Sequence, residues 1–144
     1  MNTEFPSPKE ISRAWHVLDA ESASLGRVAS QVAMLLMGKH KPVFSPFLDM
    51  GDHVIVVNAA KVRLTGRKED QKVYRRHSGY PGGLAEVSAK KLRATRPTRL
   101  VYEAVAGMLP KTKLGKHMLR KLRVYPSDKH PHQAQKPVAL SVAK

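Results

Sequence analysis

Apolar positions along the first half of the chain fall into runs of different period, and their order predicts a strand, a helix and a second strand. Ala14-Trp-His-Val-Leu-Asp19 is a short apolar run ending in an aspartate, which reads as a strand, with residues 20–24 as its exit. Leu25, Val28, Ala29, Val32, Ala33 and Leu36 then recur at i, i+3, i+4, i+7, i+8 and i+11, one stripe on a helix. Ser24 can cap its start and Gly38 can stop it. Val54-Ile-Val-Val57 is apolar without alternation, the pattern of a strand covered on both faces. Strand, helix and buried strand make a right-handed βαβ unit.

Beyond it, Lys61-Val-Arg-Leu-Thr65 and Lys72-Val-Tyr-Arg76 alternate and predict shorter or edge strands, with Gly66, Arg67 and Lys68 as the turn between them. Residues 87–94 form a weaker helical segment. Pro97 is placed to open another helix with Leu100, Val101, Ala104, Val105 and Met108 on its apolar face, and Pro110 ends it. Leu114 to Leu122 predicts a short helix, after which Val124-Tyr125 returns to the sheet. The architecture expected is α/β, with helices on both faces of a mostly parallel sheet and a basic, helix-rich C-terminal half. With 144 residues of which 42% are hydrophobic, the chain can bury one core. We expect a single domain over 14–125, an N-terminal extension over 1–13 and a basic tail over 126–144.

Charge changes the picture. Residues 1–70 hold 9 basic and 8 acidic side chains, whereas residues 71–144 hold 17 and 3, so the net charge of +15 belongs almost wholly to one half. No acidic residue occurs between Glu103 and Asp128, while Lys111, Lys113, Lys116, Arg120, Lys121 and Arg123 all do. Like charges at helical spacing repel, so this segment implies a polyanionic partner. On the predicted helix, Leu114, Met118 and Leu122 share one face and leave Lys113, Lys116, Arg120 and Arg123 toward the other. Arg75-Arg-His-Ser-Gly-Tyr-Pro-Gly-Gly83 joins Arg75, Arg76 and His77 to an aromatic, Tyr80, and three glycines. Such a loop can bring its backbone close to phosphates, with Tyr80 free to stack on an unpaired base. Lys39, His40 and Lys41 add charge after the first helix, where the dipole favours cations in any case.

Catalytic patterns are weaker. No cysteine is present, which excludes disulfides and thiolate chemistry. Neither a dinucleotide fingerprint nor a P-loop occurs, and no serine sits in a nucleophile elbow. Asp49-Met-Gly-Asp52 offers two carboxylates to a hard metal, yet a nuclease site needs more ligands than these, and Asp and Gly are also turn formers. The seven histidines show no zinc spacing on a helix. Helix-turn-helix, zinc-finger and RNA-recognition motifs are missing too. No apolar stretch reaches the length of a membrane span and no secretory leader opens the chain, so a cytoplasmic protein is expected. The composition therefore points to binding of a folded RNA by shape and backbone, with no cofactor. A metal-dependent nuclease using Asp49 and Asp52, and a translational regulator on messenger RNA, are the alternatives.

Several strings resemble one known family in order. They are Asp19-Ala20 with Leu25-Gly-Arg27 and Ala29-Ser30, Gly38-Lys-His-Lys41, Asp49-Met-Gly-Asp52, Val57-Asn-Ala59, Thr65-Gly66, His77-Ser-Gly-Tyr-Pro-Gly-Gly83, and Val105-Ala-Gly-Met-Leu-Pro110 with Leu114-Gly115. Together they resemble the bacterial family of large ribosomal subunit protein thirteen, from about Trp15 to Pro137. The resemblance implies a three-layer α/β/α fold, binding to large-subunit (23S) rRNA beside neighbouring ribosomal proteins, a structural role in early subunit assembly, and no catalytic residue. The tail departs from the family, which carries an Asn-His pair where this chain has Pro131 and His132.

Overall fold

The computed structural model describes residues 6–142, so the first five residues of the N-terminal extension and the last two of the tail lie outside the described residues. In chain order the elements are β1 (Trp15–Asp19), α1 (Leu25–Met37), β2 (His53–Val57), a 3-10 turn at Ala59–Lys61, α2 (Lys68–Gln71), β3 (Val73–His77), β4 (Leu84–Ser88), α3 (Ala89–Thr95), α4 (Pro97–Met108), α5 (Lys113–Arg120), β5 (Leu122–Val124) and β6 (Val138–Leu140). Four strands form a parallel sheet in the order β5-β2-β1-β6, and β3 and β4 form a separate antiparallel ribbon. The protein is a mixed α/β structure with five α-helices among the described residues.

The helix α1 buries all six residues of the predicted stripe and ends at Gly38, whose φ of 81° is the left-handed cap that glycine adopts without a Cβ penalty. That stripe packs with Leu18, Val54 and Val56 from the sheet and Val101, Val105 and Met118 from α4 and α5. Each fully buried aliphatic side chain contributes about 1.5–3 kcal/mol relative to exposure.

Topology decides what covers each side. The steps from β1 to β2 and from β2 to β5 run in the same direction across the sheet, so right-handed crossovers put α1, α4 and α5 on one face. The step from β5 to β6 runs back the other way, and its connection crosses the opposite face without forming a helix, so the expectation of helices on both faces of the sheet is corrected there. There Trp15 stacks on its register partner His53 at 4.3 Å between ring centroids, and His132 of the return segment lies on Trp15 at 5.3 Å. Tyr125 and His132 are joined by a 2.7 Å hydrogen bond between Oη and Nε2.

Four local expectations need correction. The helix expected over Leu114 to Leu122 runs from Lys113 to Arg120, and the return to the sheet expected at Val124-Tyr125 starts already at Leu122. Residues 61–65 make no strand: a 3-10 turn takes their start, and only Arg63 forms a bridge, to Ser24. The turn expected at Gly66–Lys68 leads into the four-residue helix α2. The helix expected from Val87 begins at Ala89, because Val87 and Ser88 complete β4 opposite β3 and the Ser88 hydroxyl then caps α3.

At the N-terminal edge of the sheet sits a buried carboxylate. Asp52, 1% exposed, accepts from the Ala14 N–H (3.0 Å) and from Lys41 Nζ (2.6 Å) through Oδ1, while His16 Nε2 (3.1 Å) and His40 Nε2 (2.9 Å) meet Oδ2. Burial raises its pKa, but Lys41, the Ala14 amide and His16 together outweigh burial and hold it at about 2. Beside it Lys121, 7% exposed, is ion-paired with Asp49 and donates to the Gly51 carbonyl at 2.9 Å. Burial pushes the Lys121 ammonium down while Asp49 pulls it up.

Because the folded pKa of Asp52 lies below the unfolded value, its contribution of ~2–3 kcal/mol is present above about pH 4 and is lost as pH falls through 2. Asp52→Asn should cost about 3 kcal/mol at neutral pH and flatten that acid slope, as read from urea unfolding over a pH series. A Cβ on Gly51 would stand 1.7 Å from the Leu36 carbonyl oxygen, whereas one on Gly26 would meet nothing within 4 Å. Gly51→Ala should therefore destabilise by about 3 kcal/mol, and Gly26→Ala, inside α1, should stabilise by ~0.5–1 kcal/mol in the same assay.

Candidate nucleic-acid interface

The basic residues divide into those the fold consumes and those it leaves free. Lys41 belongs to the first group: besides Asp52, its ammonium donates to the carbonyls of Ser12 (2.7 Å) and Met50 (2.9 Å). His40 is held on Asp52, and Lys111 closes the end of α4 by donating to the Ala106 carbonyl at 2.5 Å. Lys121, paired with Asp49, belongs to this group as well. It follows the last residue of α5 and precedes β5, and its stem is turned inward toward Leu36 and Gly51.

The free group is concentrated on α5. Thr112 caps this helix by accepting from the Gly115 N–H at 3.3 Å, and Gly115 and Met118 are buried. Lys113, Lys116 and Arg120 are exposed and have no hydrogen-bond or ion-pair partner among the described residues. Arg123 on β5 is exposed as well. Lys39, also exposed and unpartnered among the described residues, shares a cavity wall with Thr112 and Leu114, which joins the end of α1 to the start of α5. The field at this edge registers on His53: burial lowers its pKa first, and Lys121, Arg13 and Arg123 lower it further.

The second basic surface is the ribbon of β3 and β4. Its turn is closed by Ser78 N–H donating to the Gly83 carbonyl (3.1 Å) and Gly83 N–H donating to the Tyr80 carbonyl (2.9 Å). Gly79 and Gly82 have φ of 90° and 70°, which side-chain-bearing residues rarely adopt. Tyr80 stands 76% exposed at the tip. The Gly79 N–H donates to His77 Nδ1 at 2.9 Å. In the neutral ring this fixes the proton on Nε2, which is left to donate outward. Arg75 pairs with Glu86 across the ribbon at 2.5 Å, an exposed pair, while Arg76 is exposed without a partner among the described residues.

Arg67 and Lys68 open α2, where Lys68 Nζ donates to Thr65 Oγ1 at 3.2 Å. Lys68 lines a cavity of about 370 Å³ together with Arg63, Lys72, Ser24 and Gly26. Sequence reasoning did not single out Arg63, Lys72 or Arg13. Each is an isolated cation in a mixed segment, and only the fold shows what it faces.

The two aspartates of the nuclease reading do not face one another as a free pair: Asp49 is ion-paired with Lys121, and Asp52 gives Oδ1 to Lys41 and the Ala14 amide and turns Oδ2 toward His16 and His40.

Comparison with known proteins agrees with the resemblance read from the sequence strings. Residues 13–131 match the family described as Ribosomal protein L13. The chain is 63% identical over 142 residues to the large ribosomal subunit protein uL13 of Solibacter usitatus, with 99% of each chain covered. It is 56% identical to that of Thermobifida fusca, covering all of this chain and 97% of the relative. It is 55% identical to that of Dictyoglomus thermophilum, covering 99% and 100%. With near end-to-end matches of this identity, the chain belongs to the ribosomal protein L13 family.

Proposed function

We propose that the chain is a non-catalytic structural constituent of the large subunit of the cytoplasmic ribosome, binding large-subunit (23S) rRNA through backbone and shape contacts and supporting early subunit assembly beside neighbouring ribosomal proteins. The observation that carries the RNA reading is the set of unpaired cations on α5, in a chain whose acidic residues are largely engaged within the fold. Relatives of more than half identity bear the name of a large-subunit protein.

In this reading Lys39, Arg67, Lys68, Arg76, Lys113, Lys116, Arg120 and Arg123 meet phosphates, His77 donates from Nε2, and Tyr80 stacks on an unpaired base. Arg75 joins them by exchanging Glu86 for phosphate. His40, Lys41, Lys111 and Lys121 hold the surface in shape from beneath. Residues 14–125 supply the RNA-binding body. The return segment after Pro126 acts as a thin third layer over the second face of the sheet and donates β6 to its edge. Neither a cofactor, a small-molecule substrate nor a membrane enters the function.

Phosphate contacts make affinity salt-dependent, with a slope that falls with each contact removed. Lys113→Glu, Lys116→Glu and Arg120→Glu together should reduce the slope of log affinity against log salt by about 3 on transcribed large-subunit rRNA. An unchanged slope would remove α5 from the interface. Lys121→Met should lower the unfolding temperature and leave that slope as it was. Tyr80→Ala should weaken RNA binding by about 1–3 kcal/mol, the usual worth of one stacked base, with unfolding unaffected.

A further inference from the structure

The Asp52 cluster has the donor set of a metal site. His16, His40 and Asp52 bring three ligand atoms within 4.8 Å of one another. The two imidazole Nε2 atoms both face Oδ2, at 3.1 and 2.9 Å. Ligands about 2.0–2.1 Å from a tetrahedral zinc ion stand roughly 3.3 Å apart, so each Nε2–Oδ2 distance is within a few tenths of an ångström of that spacing, and the two nitrogens lie within 4.8 Å of each other. His16 comes from β1, His40 from the loop after α1 and Asp52 from the residue before β2, so three separate chain segments converge.

We propose that His16, His40 and Asp52 bind a divalent transition-metal ion of the zinc class, which pins the segment between α1 and β2 to the first strand. Imidazole nitrogen with one carboxylate oxygen suits zinc, cobalt, nickel or copper and is a poor set for magnesium or calcium, which take mainly oxygen. The carboxylate is already oriented for the task. Its Oδ1 is held by Lys41 and the Ala14 amide, an outer shell that aims Oδ2 at the two rings. His40 is partly exposed, with 31% of its side chain accessible, which gives an ion an entry route and a position for water.

Metal binding requires a tautomer change at both rings. In the metal-free form both Nε2 atoms donate to Oδ2; in the metal form each Nε2 lone pair ligates and the proton resides on Nδ1. His16 Nδ1 is buried without a partner among the described residues, so the metal form leaves an unpaired donor there, which costs its desolvation and restrains affinity. The Lys41 ammonium, 2.6 Å from the other carboxylate oxygen, opposes a second cation and restrains affinity. Acid weakens binding further, since an imidazole must be neutral to ligate.

The chain has no cysteine, so cobalt(II) reports on nitrogen and oxygen ligands alone. Cobalt chloride titrated into the purified full-length chain should develop the intense visible bands of four-coordinate cobalt, displaced by one equivalent of zinc and by acid. The bands should disappear in His16→Phe and in His40→Gln, each checked for folding by circular dichroism, and persist in a His130→Gln, His132→Gln double variant. Loss in both folded single variants supports the site. Absence of bands in the native chain, their retention in a folded His16 or His40 variant, or their loss only in the double variant would overturn it.

Discussion

A carboxylate withdrawn from water at the N-terminal edge of the sheet sets the terms for everything around it. Asp52 is ionised and inside, so each segment reaching that edge must offer it a donor: the amide of Ala14 before β1, His16 within β1, and His40 and Lys41 after α1. Removing any one donor leaves a charge buried with less compensation, which costs far more than a surface pair would. Lys121 repeats the arrangement with the opposite sign beside it, drawing in Asp49 and the carbonyl of Gly51, the residue before Asp52. The loop from Gly38 to Asp52 is therefore fixed from both ends, and α1, β2 and β5 are referenced to one another through it.

Internal ion pairs also explain how the outer surface becomes so basic. Besides Asp49 and Asp52, Glu69 takes Arg93 in a two-pronged pair that also ties Arg93 to the carbonyls of Ala60 and Val62. Glu103 takes Arg99 one turn away on α4. Acidic residues are thus spent on holding elements together, and none is left opposite Lys113, Lys116 or Arg120. The i,i+4 pair of Lys116 and Arg120 repels by a few tenths of a kcal/mol in isolation. Tertiary packing of Met118 and Leu114 keeps α5 folded against that repulsion, so the charges are held in place before any polyanion arrives.

Long, strongly periodic segments were legible in the sequence. The stripe of α1, the continuous apolar run of β2 and the proline-opened α4 appear where their patterns put them, because in each the burial requirement and the local propensity agree. Short segments were not. Leu84-Ala-Glu-Val-Ser88 became a strand through pairing with Val73–His77, a partner that neither segment's own pattern specifies. Arg63 and its neighbours alternate like a strand, yet only Arg63 meets a partner backbone. Within the basic run, Lys121 and Lys116 carry the same charge and differ in fate. Lys121 sits where helix passes into strand and its stem is turned toward Leu36 and Gly51. The His16, His40 and Asp52 cluster was equally hidden, since its members are separated by 24 and 12 residues of sequence and meet only because β1 and β2 are register neighbours.

Topology supplies the remaining asymmetry. With β1, β2 and β5 added in one direction, the helices must share a face, and the return to β6 must use the other. That second face is closed by rings rather than helices: His132 over Trp15, and Trp15 over His53. A covering of this kind depends on the segment after Pro126 being docked, which is secured by Asn58 and Ala60 amides donating to the Ser127 and Pro126 carbonyls. The Pro131 that departs from the family pattern lies between His130 and His132, whose rings remain nearly parallel at 17°. The contacts that close the sheet on this side pass through His132, next to Pro131, and Tyr125.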